Sequence, residues 1–227
     1  DHCDITDVDA VAAMVATAVD KWGRVDILIN NAGILRDKSF IKAELDDFRK
    51  VIDVHLMGSV ICSKAVWPHM VEQNYGRILM TTSASGIYGN FGQANYGAAK
   101  AGLIGLSNVL AVEGAKYNVK ANAIAPLAYT RMTENLLGNL GERLDPSFVS
   151  PIVAYLAHEE CPVSGEVYSV GGGRVARVFI AESQGYFNSK LTMEDVRDNF
   201  ETIRSEVDYK VPANIGEETA MYLPFFK

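Results

Sequence analysis

Arg77-Ile78-Leu79-Met80-Thr81-Thr82-Ser83-Ala84-Ser85-Gly86-Ile87-Tyr88-Gly89-Asn90-Phe91-Gly92-Gln93-Ala94-Asn95-Tyr96-Gly97-Ala98-Ala99-Lys100 reads as a strand, a glycine-rich loop and the mouth of a helix. Arg77–Thr82 is a short apolar run of the kind that is buried on both faces of a parallel sheet. A helix is expected from about Ala94 to Lys116. Tyr96 and Lys100 stand four apart and therefore share one face of it. A lysine ammonium beside a phenol favours the phenolate and lowers a pKa that starts near ~10. Such a tyrosine can act as acid or base near neutrality. Ser83, thirteen positions upstream of Tyr96 at the end of the strand, can hydrogen-bond the same oxygen. Taken singly, the serine is also what a turn uses, and the Tyr/Lys pair is also an amphipathic helix edge. Their joint placement after a strand is what points to chemistry.

Outward from this stretch, strands alternate with helices. Thr6 or Asp7 can cap a helix whose apolar positions are Val8, Val11, Val15, Val19 and Trp22, with Gly23 ending it. Val25–Ile29 is a strand and runs at once into Asn30-Asn31-Ala32-Gly33. Leu45, Phe48, Val51, Ile52 and Leu56 mark the next helix, which Val60 to Met70 continue or pair with. Val119–Ile124 is a strand stopped by Pro126. Pro146–His158 is helical, capped by Asp145, and Val167–Val170 is a last parallel strand closed by Gly171-Gly172-Gly173. This order predicts an α/β fold, a Rossmann-type doubly wound parallel sheet in three layers. Residues 1–173 are expected to form a dinucleotide-binding and catalytic domain, with 174–227 a C-terminal extension packed on it. In that extension Arg177–Ile180 can add a strand. Thr192 with Asp195 opens a helix through Phe200 and Ile203. The stretch from Val207 to the exposed Phe225 and Phe226 is expected to be irregular.

Composition narrows the class. With 227 residues, 48% hydrophobic and 22% charged, the chain can bury a full core. A net charge of −7 argues against nucleic acid, whose phosphates demand a basic face. Cys3, Cys62 and Cys161 are odd in number and far apart, as in a reduced intracellular protein, and Cys62 suits a small core position. No run of 18 apolar residues predicts a membrane span. His2, His69 and His158 lack ligand spacing, so no metal site is proposed.

The ordered set Asn30-Asn31-Ala32-Gly33, Ser83, Tyr96, Lys100, and Asn122 ahead of Pro126 resembles the short-chain dehydrogenase/reductase family over almost all of residues 4–173. Within it, Ala32–Asp37, Ser83–Tyr96, Ala125–Thr133 and the 54 residues after Gly173 (227 − 173) are similar to the (3R)-hydroxyacyl-CoA dehydrogenase units of peroxisomal multifunctional enzymes and to bacterial single-domain relatives. The resemblance implies that Tyr96 is the acid/base, that Lys100 holds the nicotinamide ribose and that Ser83 polarises the substrate oxygen. It implies that Asn31, Ala32 and Gly33 line the dinucleotide, with Gly33 admitting close approach. Asp4 and Ile5 would contact adenine, and Thr130 the nicotinamide carboxamide. Pro126-Leu127-Ala128-Tyr129-Thr130 departs by one residue from the commoner Pro-Gly-x-x-x-Thr. His55 stands where most relatives carry Asn. There its backbone carbonyl would hold a proton-relay water if the helix kink survives; a structural histidine is the other reading.

A doubly wound sheet binds pyrophosphate at a Gly-rich first strand–turn–helix, and none precedes Asp4. That piece is expected to lie N-terminal to this sequence; the alternative is lost dinucleotide binding. The cofactor is expected to be NAD, with NADP open. The substrate is expected to be acyl-CoA-like. Tyr88 and Phe91 would form one wall of its pocket, and Thr130–Gly141 with Leu136, Leu137 and Leu140 a lid. Arg131, Arg143, Arg174 and Arg177 are candidates for its phosphates. The expected activity is hydride transfer between a nicotinamide cofactor and a secondary alcohol or ketone. The alternatives are a 3-oxoacyl-carrier-protein reductase, a steroid dehydrogenase and a non-catalytic oligomer subunit. A homodimer or homotetramer is expected, pairing helices near Leu45–Met70 and Asn95–Lys116. Its location would be the cytoplasm of a bacterium or the peroxisome of a eukaryote.

Overall fold

Four short apolar runs pair side by side in parallel: Ile27–Asn30 (β1), Gly76–Thr81 (β2), Val119–Pro126 (β3) and Val167–Gly171 (β4). Arg174–Val178 (β5) returns antiparallel to β4. That reversal needs positive φ at Gly172 (55°) and Gly173 (82°), a region open to glycine at little steric cost. The computed structural model describes residues 2–131, 133, 141 and 143–225. Contacts divide the chain into a first unit ending at Val178 and a second beginning at Phe179. The sheet belongs wholly to the first.

Helices Val8–Trp22 (α1), Leu45–Ile52 (α2), Gly58–Glu72 (α3), Ala84–Tyr88 (α4), Ala94–Gly114 (α5) and Ser150–Ala157 (α6) connect and cover the strands. Asp7 caps α1 by accepting from the Asp9 and Ala10 amides at 2.9 and 3.0 Å, and Gly23 ends it in the left-handed region. Because strand side chains alternate, β2 splits between two cores. Ile78 and Met80 join Val15, Val66, Met70, Leu103, Ala121 and Ala123 on the face covered by α1, α3 and α5. Leu79 joins Ile124, Val170, Leu156, Ala157 and Cys161 on the other, beneath α6. The result is the expected three-layer Rossmann-type arrangement. Among the described strands the order runs β1 to β5 without reversal. Cys62 is a buried free thiol, as its pattern suggested.

Boundaries shift for local reasons. Pro146–Phe148 is a 3-10 turn and the α-helix begins only at Ser150, because Pro151 fits the first turn of a helix but not its interior. The helix after Tyr96 is α-helical to Gly114 and tightens to 3-10 over Ala115–Tyr117. The second unit holds Met193–Asp198 (α7), with the expected capping box of Thr192 and Asp195, then Phe200–Ile203 (α8) and Ile215–Ala220 (α9). The stretch from Val207, expected to be irregular, thus contains a helix. Asn214 caps it by accepting from the Glu217 amide at 3.1 Å, while the Glu217 carboxylate takes the Ala213 amide at 2.9 Å. It buries no side chain, so apolar periodicity carried no signal. Phe225 stacks on Phe187 with ring centroids 4.7 Å apart, and Phe226 lies outside the described residues. Among the described residues no helix is long and apolar enough to cross a membrane.

Arg77, on β2, is 1% exposed yet carries a charge. Its guanidinium donates to the carbonyls of Gly76, Asn118, His158 and Glu159 at 2.8–3.2 Å and lies 4.3 Å from the Tyr75 ring centroid. His158 and Glu159 follow the C-terminus of α6, where a cation complements the helix dipole. Arg77→Met should therefore strand several buried carbonyls and cost about 3 kcal/mol, read as a lowered urea midpoint. A midpoint like wild type would show that Arg77 is not the tie.

Candidate active site

The carboxyl ends of the parallel strands bring Asn30, Thr81 with the following Thr82 and Ser83, and Pro126 to one edge, where doubly wound sheets bind ligands. Ser83 is extended and caps α4, its hydroxyl accepting from the Ser85 amide at 3.2 Å. Its side chain also acts on the Tyr96 phenol, favouring the phenolate. Tyr96 sits in the first turn of α5, its amide donating to the Asn95 side chain at 2.7 Å. One turn on, Lys100 is 3% exposed. Its ammonium donates to the Thr81 carbonyl and lies 5.4 Å from the Tyr96 ring centroid. Among the described residues no carboxylate pairs with it. The Thr82 hydroxyl donates to the Lys100 carbonyl at 2.6 Å. Gly86 lets α4 close on α5, since a Cβ there would fall 2.7 Å from the Ala101 amide nitrogen.

Burial governs the electrostatics. It lowers the Lys100 ammonium from 10.5 to about 8. It also pushes the Tyr96 phenol up; the Ser83 hydrogen bond pulls down, and the Asp37 carboxylate pushes up again. The pair alone predicted a lowered phenol. The structure differs because removal from water is the largest effect on this half-buried ring and Ser83 offsets only part of it.

His55 occupies a π-helical turn, Asp53–Met57, between α2 and α3, closed by the Gly58 amide bonding to the Asp53 carbonyl. The extra residue turns its ring inward, to 1% exposure and edge-on to Tyr96, with centroids 5.1 Å apart. Nε2 lies 2.7 Å from the Ile34 carbonyl, while Nδ1 is buried without a partner among the described residues. Burial and the Lys100 charge lower its pKa to about 4, so it is neutral at pH 7. The kink survives, and the His55 carbonyl accepts the Ser59 hydroxyl at 2.7 Å.

Asn31, Ala32 and Gly33 are exposed at the end of β1, with the Asn31 side chain taking the Thr81 hydroxyl at 3.2 Å. A Cβ on Gly33 would lie 2.2 Å from His55 Cε1. The glycine is therefore required by a neighbouring side chain. Asp4 accepts from the Thr6 amide and hydroxyl at 2.9 and 2.8 Å, which lowers its carboxyl, and Ile5 fills the space over Gly58. The Thr130 amide donates to the Thr133 hydroxyl at 2.8 Å in an exposed turn. Arg177 pairs with Glu166 at 3.2 Å. Tyr88 and Phe91 are 74% and 90% exposed. Of the expected lid, Leu136, Leu137 and Leu140 lie outside the described residues, as does Met132. Asp37 and Asn95 were given no role by the sequence, yet Asp37 accepts from Gln93, on the expected pocket wall, and Asn95, next to Tyr96, donates to the Arg36 carbonyl. Their only signal was polarity.

The sequence profile of the family described as short chain dehydrogenase matches residues 2–139, and the chain belongs to that family. It is 48% identical over 217 residues to the peroxisomal multifunctional enzyme type 2 of Mus musculus, covering 93% of this chain and 30% of that enzyme. It is 50% identical over 190 residues to a short-chain type dehydrogenase/reductase of Mycobacterium tuberculosis, covering 83% of this chain and 66% of the other. The solved full-length peroxisomal multifunctional enzyme type 2 from Drosophila melanogaster superposes with a TM-score of 0.85 at 38% identity, over 99% of this chain and 40% of that one. The chain thus spans less than two thirds of these relatives' lengths. It is an oxidoreductase of the short-chain dehydrogenase/reductase type, and a nicotinamide cofactor goes with that membership.

The depressed His55 pKa makes an acid-stability prediction. Unfolded, the imidazole takes a proton near 6.5; folded, only near 4. Between these values the unfolded state binds more protons, so stability should fall as pH drops from about 6.5 to 4. His55→Gln should flatten that fall in urea titrations at successive pH values, and an equally steep fall in the variant would contradict the assignment.

Proposed function

We propose that this chain transfers a hydride between NAD and the secondary alcohol of a 3-hydroxyacyl-CoA. The observation that carries the reading is the convergence of Ser83, Tyr96 and Lys100 at the strand ends, with the phenol half-buried, drawn toward the phenolate by Ser83, and the Lys100 ammonium 5.4 Å from its ring centroid. In oxidation Tyr96 takes the hydroxyl proton, and in reduction it returns it. Ser83 donates to the substrate oxygen and orients it beside the phenol. Lys100, anchored on Thr81, keeps N–H donors of the kind a ribose diol accepts. With its pKa near 8, most of it stays charged at pH 7. Bound NAD would supply the hydride acceptor. Asn31, Ala32 and Gly33 form the exposed turn that would line the dinucleotide, and Asp4 keeps its second oxygen for adenine. For Thr130, closeness to the end of β3 supports a carboxamide contact.

The acyl-CoA assignment rests on the residues shared with the hydroxyacyl-CoA group and on the likeness to peroxisomal multifunctional enzymes. Tyr88 and Phe91 supply exposed apolar surface beside the site. A second reading, reduction of a 3-oxoacyl group on a carrier protein, has one observation in its favour. A Synechocystis protein named 3-oxoacyl-[acyl-carrier-protein] reductase is 40% identical over 184 residues, which cover 74% of it. A homo-oligomer paired through α5 would cover Val109 and Val112, which are 54% and 62% exposed. Peroxisomal residence is proposed for a eukaryotic source and cytoplasmic residence for a bacterial one.

Nicotinamide absorbance over a panel tests the substrate: 3-hydroxyacyl-CoA of several chain lengths, carrier-bound analogues and a steroid, each with NAD and NADP. Highest kcat/KM is expected for hydroxyacyl-CoA with NAD, and a carrier-bound optimum would favour the second reading. Tyr96→Phe should lose about 10²–10⁴-fold in kcat. A wild-type rate in that variant would refute the mechanism.

A further inference from the structure

The loop that follows the Asn30–Gly33 turn is stitched to the loop that precedes Tyr96. The Lys38 amide donates to the Gly92 carbonyl at 2.9 Å, and the Asn95 side-chain amide donates to the Arg36 carbonyl at 3.0 Å. Between these two bonds the Gln93 side-chain amide donates to Asp37 Oδ2 at 2.7 Å. Gln93 is 6% exposed and its carbonyl oxygen is filled twice, by the Ser85 hydroxyl at 2.6 Å and the Asn90 amide at 3.0 Å. A carboxylate accepts only, so Asp37 fixes which end of Gln93 faces it. That in turn forces the Ser85 hydroxyl, two residues after Ser83, to donate into the network.

Charge on Asp37 is free to act toward Tyr96. The cations on either side of it are drawn to another acid: Arg36 lies 3.6 Å and Lys38 3.1 Å from Asp47. The groups that face Tyr96 are Lys100 from its own helix, neutral His55 from the π-helical turn, Ser83 from the end of β2, and Asp37 from this loop. A cation favours the phenolate in general, and the Asp37 carboxylate opposes it here.

We propose that Asp37 is a positioning residue: through Gln93 it locks the wall of the site ahead of Tyr96, and the loop bonds on either side of it set its carboxylate charge beside that phenol. This rests on the reading of Tyr96 as the acid/base. Asp37 touches Gln93 and acts through the loop and through space. Like charge beside a forming phenolate holds the phenol in its protonated form, in agreement with the direction in which Asp37 moves Tyr96.

Two readouts test it. The first is the pH dependence of kcat/KM for alcohol oxidation. The second is the tyrosinate absorbance assigned to Tyr96 by difference from the matching Tyr96→Phe protein, which needs no turnover. Asp37→Asn keeps an acceptor for Gln93 and removes the charge, so both the basic limb and the tyrosinate transition should move to lower pH. Asp37→Glu keeps the charge and should leave both near wild type. If Asp37→Asn does not fold, Asp37→Ser carries the same expectation. An unmoved tyrosinate transition in the charge-free variant, or equal shifts in Asp37→Asn and Asp37→Glu, would overturn the proposal. A fully active Tyr96→Phe would instead overturn the acid/base reading beneath it, so the two failures are told apart.

Discussion

A lysine ammonium buried with no carboxylate partner among the described residues is the constraint around which the site is organised. Lys100 is held by a backbone carbonyl of β2 and its own carbonyl by Thr82, so the charge is fixed to the sheet at two points. An isolated buried cation is unfavourable, and a protein usually pairs it or neutralises it. Here it is retained beside a phenol, with its proton affinity lowered to about 8. The arrangement stores an electrostatic tension that a negatively charged partner would relieve, and a phenolate on Tyr96 is such a partner.

The rest of the first unit serves that placement. The parallel strands bring Ser83 and Lys100 to one edge, and Gly86 lets the short helix after Ser83 close on the helix that carries Lys100. The π-helical turn aims His55 at Tyr96 and against Gly33, so the turn after β1 and the phenol are held by one neutral ring. Arg77 does comparable work at the opposite ends of the strands, tying helix termini to β2. Cations are thus buried at both ends of the sheet. One gives four of its five donors to carbonyls, and the other gives one of its three to the Thr81 carbonyl.

Much of this was legible in the sequence because it rests on period and order. Short apolar runs alternating with amphipathic ones gave the layers, and Ser83, Tyr96 and Lys100 stand where a strand end and a helix face require. Less legible were effects of burial and of side chains reaching across the sequence. The phenol is raised because desolvation outweighs the pull of Ser83, a balance that spacing does not reveal. Gly33 is needed for the ring of His55, 22 positions away (55 − 33). The helix at Ile215–Ala220 went unseen because its ends are polar and it buries nothing. Asp37 and Gln93 were plain polar residues until the fold placed them together.

The central claim, a desolvated lysine beside the Tyr96 phenol, is tested most directly by carbon-13 NMR of the lysine Cε positions across a pH titration, with Lys100→Arg to assign the resonance. The account predicts one lysine titrating near 8 that vanishes in Lys100→Arg. Lysines that all titrate near the ordinary value of about 10.4 would contradict it.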